Sequence, residues 1–164
     1  MIHQRPKNKG RWNAADTILI LFIFVLFMAV SPVYGDSPKK NDGQSGQIKI
    51  IITDLENDKG TVRIALFDSE DSYKSGNKPF KTTAAKIKNR CAECTFDGVP
   101  YKTYAIRLYH DQNGNGQLDK DARGIPMEPY AFSNNAKGFM GPAAWKDAKF
   151  TIRSNSVKME ISLD

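Results

Sequence analysis

The chain has 164 residues, with 24 Lys and Arg against 18 Asp and Glu, and a formal net charge of +6. Its 40% hydrophobic and 26% charged residues are typical of a single globular domain, and they argue against collagen, a coiled coil and a multi-pass membrane protein. A histidine-rich metal site is excluded as well, because the chain contains only His3 and His110.

The first 35 residues have the three parts of a secretory signal peptide. Four basic residues between positions 5 and 11 precede an uninterrupted apolar run, Ile18 to Val30. Val33 and Gly35 then occupy the −3 and −1 positions of a small-residue cleavage site. The apolar run is shorter than the roughly 20 residues that cross a bilayer. The sequence therefore predicts export, to a periplasm or out of the cell. The alternative is an uncleaved N-terminal anchor.

Loss of the leader lowers the net charge of the protein. Residues 36–164 keep 20 basic and 17 acidic residues, because the leader holds four basic residues and Asp16. No basic run in this part is interleaved with aromatic residues, so nucleic-acid binding has no support. No membrane contact is expected once the leader is cleaved.

Residues 36–46 are polar and glycine-rich, which predicts a flexible linker ahead of one domain, 47–164. From Gln47 onward, apolar residues alternate with polar ones. Because successive side chains of a strand point to opposite faces, this pattern predicts strands that are covered on one face. The fold predicted is all-β, an immunoglobulin-like antiparallel β-sandwich of about seven strands. The alternating segments lie near residues 48–53, 61–66, 85–88, 94–96, 103–108, 148–152 and 157–163.

Three connections complete this prediction. The turns at 57–60 and 154–156 are expected to join neighbouring strands as hairpins. A short helix near 78–85 is the longest helix that the sequence allows. The connection 111–147 is far longer than the 2–5 residues of a hairpin loop. Long ordered loops on a rigid scaffold often carry function, so we expect the functional site there.

Residues 111–119, with the sequence DQNGNGQLD, fit the first nine positions of a calcium-binding loop. Calcium takes six to eight oxygen ligands, which alternate residues of a tight turn can supply. Position 12 is Ala122, where a Glu is expected, so Asp121 or Glu128 would have to supply the missing carboxylate. The pattern predicts a structural calcium ion bound at roughly 10⁻⁵ to 10⁻³ M. The alternative is an Asn-Gly turn that binds no metal. The predicted ligands are the side chains of Asp111, Asn113, Asn115 and Asp119 and the backbone carbonyl of Gln117.

The stretch from Tyr104 to Pro142 carries the most distinctive motifs of the chain. Its segments YAIRLYHDQNGNGQLD and GIPMEPYAFSNNA resemble the exported bacterial proteins of domain-of-unknown-function family 2141. The resemblance extends over about Ile48 to Leu163. Because that family has no established activity, the resemblance implies the fold and export alone. Phe96 to Pro100, leading into Tyr104, also resembles the strand corner of transthyretin-like and surface-protein B-type modules, some of which carry calcium loops. Tyr104 is expected to act as a tyrosine corner, with its hydroxyl bonded to upstream backbone.

The rest of the long loop combines aromatic residues with amides. This combination suits a cleft for a carbohydrate, a peptide or a protein partner, because it offers flat apolar area beside hydrogen-bonding pairs. The alternative is a self-packed loop, in which the aromatic residues cover the end of the sandwich and the amides cap backbone groups. The ligand contacts predicted by the first interpretation are Tyr130, Phe132, Asn134 and Asn135.

Cys91 and Cys94 are the only cysteines. In an oxidising compartment the default is a disulfide, here expected to staple a hairpin turn. One alternative is a redox-active dithiol, which needs a helix N-terminus to lower the thiol pKa. Another is a zinc site that adds His110.

The chain has no Gly-x-Ser-x-Gly, no phosphate loop and no nucleotide fingerprint. The sequence therefore favours an exported, non-enzymatic β-sandwich module with a structural calcium loop and a binding surface on residues 111–147. One alternative is a hydrolase that uses a carboxylate pair, with Glu128 and Asp147 as candidates. The other is a thiol or redox protein that uses the two cysteines.

Overall fold

The structure is a computed structural model, which describes residues 43–163. The signal peptide predicted for residues 1–35 lies outside the described residues, as does most of the predicted linker. The end of that linker is corrected, because Ser45 and Gly46 already belong to the first strand. Between residues 43 and 163, no helix is both long and apolar enough to cross a bilayer.

The described residues form an all-β fold, as predicted. In the first strand every second residue is buried, which is the pattern that the sequence alternation predicted. Two short α-helices, α1 (Glu70–Ser75) and α2 (Trp145–Ala148), and a 3₁₀ helix (Ser133–Asn135) connect the strands. The strands are β1 (Ser45–Thr53), β2 (Thr61–Phe67), β3 (Lys81–Lys88), β4 (Cys91–Pro100), β5 (Thr103–Asp111), β6 (Tyr130–Phe132), β7 (Phe150–Thr151) and β8 (Ser156–Ser162).

The strands form one sheet in the order β6-β5-β2-β3-β4-β1-β8, with β7 paired to β5. Strand β3 joins its two halves, since residues 81–86 pair with β2 and residues 87–88 pair with β4. The end strands β6 and β8 contact each other, so the sheet is nearly closed, like a barrel. The predicted antiparallel arrangement is wrong at one pair, because β1 and β8 run parallel.

Both predicted hairpins are also wrong. The turn at 57–60 leads from β1 to β2, which are not neighbours in the sheet. The turn at 154–156 leads from β7 to β8, which pair with β5 and β1 respectively. Turn residues show where the chain reverses, whereas the partner of each strand depends on how the apolar faces are buried.

The expected short helix is displaced along the chain. Residues 81–88 form β3, whereas helix α1 precedes them. Helix α1 begins after Ser69, whose side chain accepts a hydrogen bond from the Ser72 backbone N–H. It ends at Gly76, which adopts a φ of 71°. A serine cap and a C-terminal glycine therefore determine where the helix lies.

Two apolar clusters pack against the sheet. The main core holds side chains from both halves, such as Ile50 of β1, Ile64 of β2 and Ile106 of β5. Tyr104 closes this core at one corner, and its hydroxyl donates to the Pro100 carbonyl at 2.9 Å, as expected of a tyrosine corner. A second cluster covers one end of the outer face of β2, β5 and β6. It contains Phe67, Tyr73, Ala105, Phe132, Ala143 and Ala148.

Candidate functional site

A cleft of about 1030 Å³ lies on the outer face of the β3-β2-β5-β6 half of the sheet. Its floor consists of two rows of residues that pair across neighbouring strands. Residues paired in this way have side chains on the same face of the sheet, so both rows face the cleft. One row is Ala84, Arg63, Tyr109 and Tyr130, and the other is Thr82, Ala65, Arg107 and Phe132.

The walls of the cleft come from two parts of the long connection 111–147. Leu118 and Ile125 line one side, and Met140 and Pro142 line the other. The second wall is anchored to helix α1, because the Tyr73 hydroxyl donates to the Ala143 carbonyl at 3.0 Å. The sheet thus supplies the floor, and the long connection supplies the sides.

The charged side chains that line the cleft in the described part of the chain are all cationic. Arg63 pairs with Asp111, with 3.0 Å between Nε and Oδ2. Arg123 pairs with a carboxylate of its own loop at 2.8 Å. Neither Arg107 nor Lys120 has a carboxylate partner among residues 43–163. The cleft therefore has an excess of positive charge.

Arg107 lies on the floor of the cleft beside two aromatic rings. Its guanidinium carbon is 4.6 Å from the Tyr73 ring centroid and 5.7 Å from that of Phe67. Nη2 donates to the Lys74 carbonyl at 3.2 Å, whereas the buried Nε has no hydrogen-bond partner. Burial lowers the pKa of Arg107, although a guanidinium still stays charged at neutral pH. This side chain is a cation with unused hydrogen-bonding capacity.

Asp111, the first predicted calcium ligand, is fully buried at the end of β5. Its Oδ2 accepts hydrogen bonds from Arg63 Nε at 3.0 Å and from the Gly116 backbone N–H at 2.9 Å. Its Oδ1 is buried and has no partner. Burial raises the pKa of the carboxyl, but the hydrogen bonds and the Arg63 charge outweigh it and hold the pKa below its usual range.

The other predicted calcium ligands form a hydrogen-bonded turn. Asn113 Oδ1 accepts from the Asn115 backbone N–H at 3.0 Å, and Asn115 Oδ1 accepts from that of Gln117 at 2.7 Å. Both side-chain amides donate to the Asp119 carboxylate, at 2.6 and 2.9 Å. The structure thus brings Asn113, Asn115 and Asp119 together. The described residues contain no group of three or more His, Cys, Asp or Glu that could hold a metal ion.

Glu128 fastens the base of this loop. The residue is buried, and its two carboxylate oxygens accept from the backbone N–H groups of Gln112 and Asp119, at 3.0 and 3.1 Å. Asp147, the second carboxylate considered for hydrolysis, is exposed in α2 and pairs with Lys146 at 3.1 Å. Glu128 therefore acts on the loop conformation through both of its oxygens.

Two of the four predicted ligand-contacting residues line the cleft. Tyr130 is 42% exposed, and the second residue, Phe132, is 5% exposed because it also packs into the second apolar cluster. Their rings meet edge to face, with centroids 5.7 Å apart. The structure therefore places these two residues on the β6 side of the cleft floor.

The two predicted amide contacts bond to backbone groups instead. Asn134 Nδ2 donates to the carbonyls of Asp147 and Lys149, at 3.1 and 3.0 Å. Asn135 Oδ1 accepts from the Ser162 backbone N–H at 2.9 Å. These side chains fasten the 3₁₀ helix to α2 and to β8.

The predicted disulfide is corrected, because Cys91 and Cys94 are free. Both lie on β4, and the turn that was expected between them is formed by Asn89 and Arg90, which have positive φ. Residues three apart on a strand have Cα atoms about 10 Å apart and point to opposite faces. A disulfide needs a Cα separation below about 7 Å.

The other two roles considered for the cysteines find no matching geometry. Burial raises the pKa of the Cys94 thiol to about 11, whereas a redox-active cysteine needs a lowered pKa. His110 is buried on β5, and its Nε2 bonds to the Lys59 carbonyl at 2.7 Å. Among residues 43–163, Cys91, Cys94 and His110 are not grouped as a metal site.

The sequence did not identify the cations of the cleft floor. Arg63 and Arg107 occupied polar positions of alternating segments, which usually face solvent. The signal that distinguishes them is the strand register, which places Arg63 opposite Tyr109 and Arg107 opposite Phe132. Register becomes known only with the fold.

One protein-family model matches the chain, over residues 50–160. Its description is an uncharacterized protein conserved in bacteria. No curated protein and no solved structure matches the chain. The matched range covers more than half of the chain and includes all the residues of the cleft. The chain therefore belongs to the uncharacterized bacterial family DUF2141.

Proposed function

We propose that this protein is an exported, non-enzymatic binding module whose ligand site is the cleft between the sheet and residues 111–147. The observation that carries the proposal is the cleft floor, where Arg107, which has no carboxylate partner among residues 43–163, packs beside aromatic side chains. A large, mostly apolar concavity with a few polar groups is the usual form of a small-molecule site. The ligand is a small molecule that contacts the floor row of Arg63, Tyr109 and Tyr130.

The finer fold in this proposal is an immunoglobulin-like sandwich. Two halves of a sheet that pack face to face share one core, and both halves contribute to the main cluster here, for example through Ile50 and Ile64. The long connection then lies outside the sandwich, where it is free to form a site.

Export is supported by the order of basic, apolar and small residues in positions 1–35. The non-enzymatic role is supported by the carboxylates. Glu128 uses both oxygens on backbone amides, and Asp111 is paired with Arg63. A general acid or base must instead reach a proton of the substrate.

The test is fluorescence titration of the purified protein with the neutral apolar probe N-phenyl-1-naphthylamine. Ala84→Trp places an indole on the exposed floor of the cleft without entering the core, and β-strands tolerate Trp well. Thr95→Trp is the matched control, because Thr95 is exposed on β4 outside the cleft. We expect wild type and the control to bind equally and Ala84→Trp to bind about tenfold more weakly, since a tenfold change is about 1.4 kcal/mol. Equal binding by all three folded proteins would refute the proposal.

We propose as a second function that residues 111–119 bind a calcium ion. The observation that favours it is the buried, unpartnered Oδ1 of Asp111, beside a turn whose other donors are oxygens. The ion would be held by the side chains of Asp111, Asn113, Asn115 and Asp119 and the carbonyl of Gln117. Arg63 shares the Asp111 carboxylate, and its positive charge repels a cation, so we expect weak affinity.

The calcium proposal is tested by the melting temperature of the purified protein in about 10 mM calcium and in chelator. For a dissociation constant of about 10⁻⁴ M, the middle of the predicted range, this concentration is about 100 times the constant and adds about 2.7 kcal/mol, which raises the melting temperature of a domain of this size by several degrees. We expect this rise in wild type and in the exposed control Asp68→Asn, and its loss in Asp119→Asn. Identical melting curves of metal-free wild type in calcium and chelator would refute the proposal.

A further inference from the structure

The walls of the cleft are apolar where they rise above the sheet. Leu118, Ile125 and Met140 face the same space, with Tyr109 and Tyr130 on the floor beneath them. Ile125 is 51% exposed and Met140 is 94% exposed, which is unusual for large apolar side chains. Exposed apolar groups around a concavity mark a surface that a partner or ligand covers. The body of the ligand is therefore apolar.

The positive charge of the cleft indicates that the polar end of the ligand is an anion. Arg63 and Arg123 already have carboxylate partners within the protein. Arg107 and Lys120 have none among the described residues, and no described acidic side chain lines the cleft. The buried Nε of Arg107 also lacks a hydrogen-bond acceptor. A desolvated guanidinium of this kind gains most from an anion that supplies an acceptor.

The shape of the guanidinium favours a carboxylate as that anion. The Arg107 guanidinium carbon lies 4.6 Å from the Tyr73 ring centroid and 5.7 Å from that of Phe67, so two rings pack beside this cation. A planar guanidinium matches a planar carboxylate, which can accept two parallel hydrogen bonds. Lys120 is a flexible cation on the wall of the cleft. It adds positive charge but does not restrict the orientation of the bound anion.

We propose that the cleft binds an amphipathic carboxylate, in which an apolar chain lies between the two walls and the carboxylate pairs with Arg107 and Lys120. This inference rests on the proposed function and adds the chemical class of the ligand. The volume of about 1030 Å³ accommodates a chain of this kind together with water.

The experiment is isothermal titration calorimetry of the purified protein with dodecanoate below its critical micelle concentration, with dodecan-1-ol below its aqueous solubility, and with acetate. We expect dodecanoate to bind with one-to-one stoichiometry and at least about tenfold more tightly than dodecan-1-ol, because a hydrogen bond to a charged group is worth more than one to a neutral group. Acetate, which lacks the chain, should show no heat of binding. Dodecanoate that binds no more tightly than the alcohol, or does not bind, would overturn the proposal.

Variants identify the cations that are responsible. Arg107→Gln and Lys120→Gln should each reduce the preference for dodecanoate over dodecan-1-ol, with the larger loss at Arg107. Arg153→Gln is the matched control, because Arg153 is exposed near β8 and does not line the cleft. Lys120 is exposed, so its variant remains informative if Arg107→Gln is unstable. An unchanged preference in both variants would overturn the proposal.

The neutral probe and dodecanoate test different claims, since the probe tests whether the cleft binds a ligand and dodecanoate tests whether that ligand is a carboxylate. If the neutral probe binds and Ala84→Trp weakens its binding, the cleft is a ligand site whatever the result with dodecanoate. If dodecanoate binds equally to wild type and Ala84→Trp, it binds elsewhere, and the assignment of a carboxylate to the cleft is wrong.

Discussion

Arg63 and Asp111 form the ion pair that joins the sheet to the long connection. The side chain of Asp111 is fully buried, and that of Arg63 is 41% exposed at the edge of the cleft. A buried carboxylate is tolerated only when it is paired and hydrogen-bonded, as Asp111 is through Arg63 and the Gly116 N–H. Removal of Arg63 would therefore leave the buried charge of Asp111 without its ion-pair partner.

We expect Asp111→Asn to destabilise the protein at pH 7 by about 2 kcal/mol, the usual worth of a hydrogen bond to a charged group, because the remaining Arg63 is 41% exposed and is solvated by water. The folded-state pKa of Asp111 lies below its unfolded value of about 3.9. The carboxylate therefore contributes stability above about pH 4, and this contribution is lost as the pH falls through the folded-state pKa.

Urea unfolding at pH 7 and at pH 3 measures this effect. The difference between wild type and Asp111→Asn should shrink at the lower pH. The exposed control Asp68→Asn should change the free energy of unfolding by less than about 0.5 kcal/mol at both pH values. If Asp111→Asn lowers the free energy of unfolding by the same amount at pH 7 and at pH 3, the charge of Asp111 does not have the role that we assign to it.

Asp111 also separates what a local sequence pattern contains from what depends on the fold. Oxygen-bearing residues alternate after Asp111, which is a local pattern. Its partner Arg63 lies 48 residues earlier, and no local pattern connects the two. The groups that Asn134 and Asn135 bond to, on α2 and β8, lie 13 and 27 residues further along the chain, which is also beyond the reach of a local pattern.

At the scale of elements, the position of both cysteines on strand β4 determines how exposed each thiol is. Cys94 faces the core beside Phe96, whereas Cys91 faces solvent at the start of the strand. One continuous strand thus gives the two thiols different surroundings. The difference allows a direct chemical test.

We expect one thiol per native chain to react rapidly with a maleimide, and both thiols to react after unfolding in the absence of reductant. Cys91→Ser should abolish the rapid reaction, because the remaining thiol is half-buried and has a pKa of about 11. Cys94→Ser should retain it. Mass spectrometry counts the labels. A chain that carries an internal Cys91–Cys94 disulfide would contradict the register of β4.

Alternation of apolar and polar residues predicted the longer strands, because each buries one face. It predicted β1, β2, β5 and β8 with boundaries within a few residues. It missed β6, since Tyr130–Phe132 is too short to display a period. Helix α1 was missed as well, because six residues give little helical periodicity and only its caps mark it.

At the scale of the whole molecule, the nearly closed sheet has a seam between β6 and β8. Asn135 crosses this seam, since its Oδ1 accepts from the Ser162 backbone N–H at 2.9 Å. The main core lies directly behind, where Ile161 is fully buried. The seam therefore depends on a side chain from the long connection.

We expect Asn135→Ala to lower the free energy of unfolding by about 0.5–1 kcal/mol, the net contribution of a typical hydrogen bond, because this hydrogen bond is exposed. Hydrogen exchange at the Ser162 amide should accelerate, while exchange in the β1–β4 ladder should change only through global stability. Asn77→Ala is the control, because Asn77 is exposed in the turn after α1. Unchanged exchange at Ser162 would contradict a role for Asn135 at the seam.

The order of the strands could not be predicted from the sequence. The alternation of apolar and polar residues shows which face of a strand is buried, but it does not show which strands pair with each other. The rows of residues that form the cleft floor across neighbouring strands could therefore not be predicted. The pairing of β2 with β5, rather than with β1, is what places Arg63 beside Tyr109. The all-β class was therefore predictable, whereas the cationic floor depends on register.

The parallel pairing of β1 with β8 affects the order in which the sheet can form during folding. Gln47, near the start of the domain, pairs with Ser156, near its end. During synthesis β1 leaves the ribosome before β8, so the edge of β1 that pairs with β8 stays open until β8 follows. Contacts so distant in sequence slow folding, and an unpaired edge is where chains associate wrongly. The open edge of β1 is therefore the part of the sheet most exposed to wrong pairing while the chain folds.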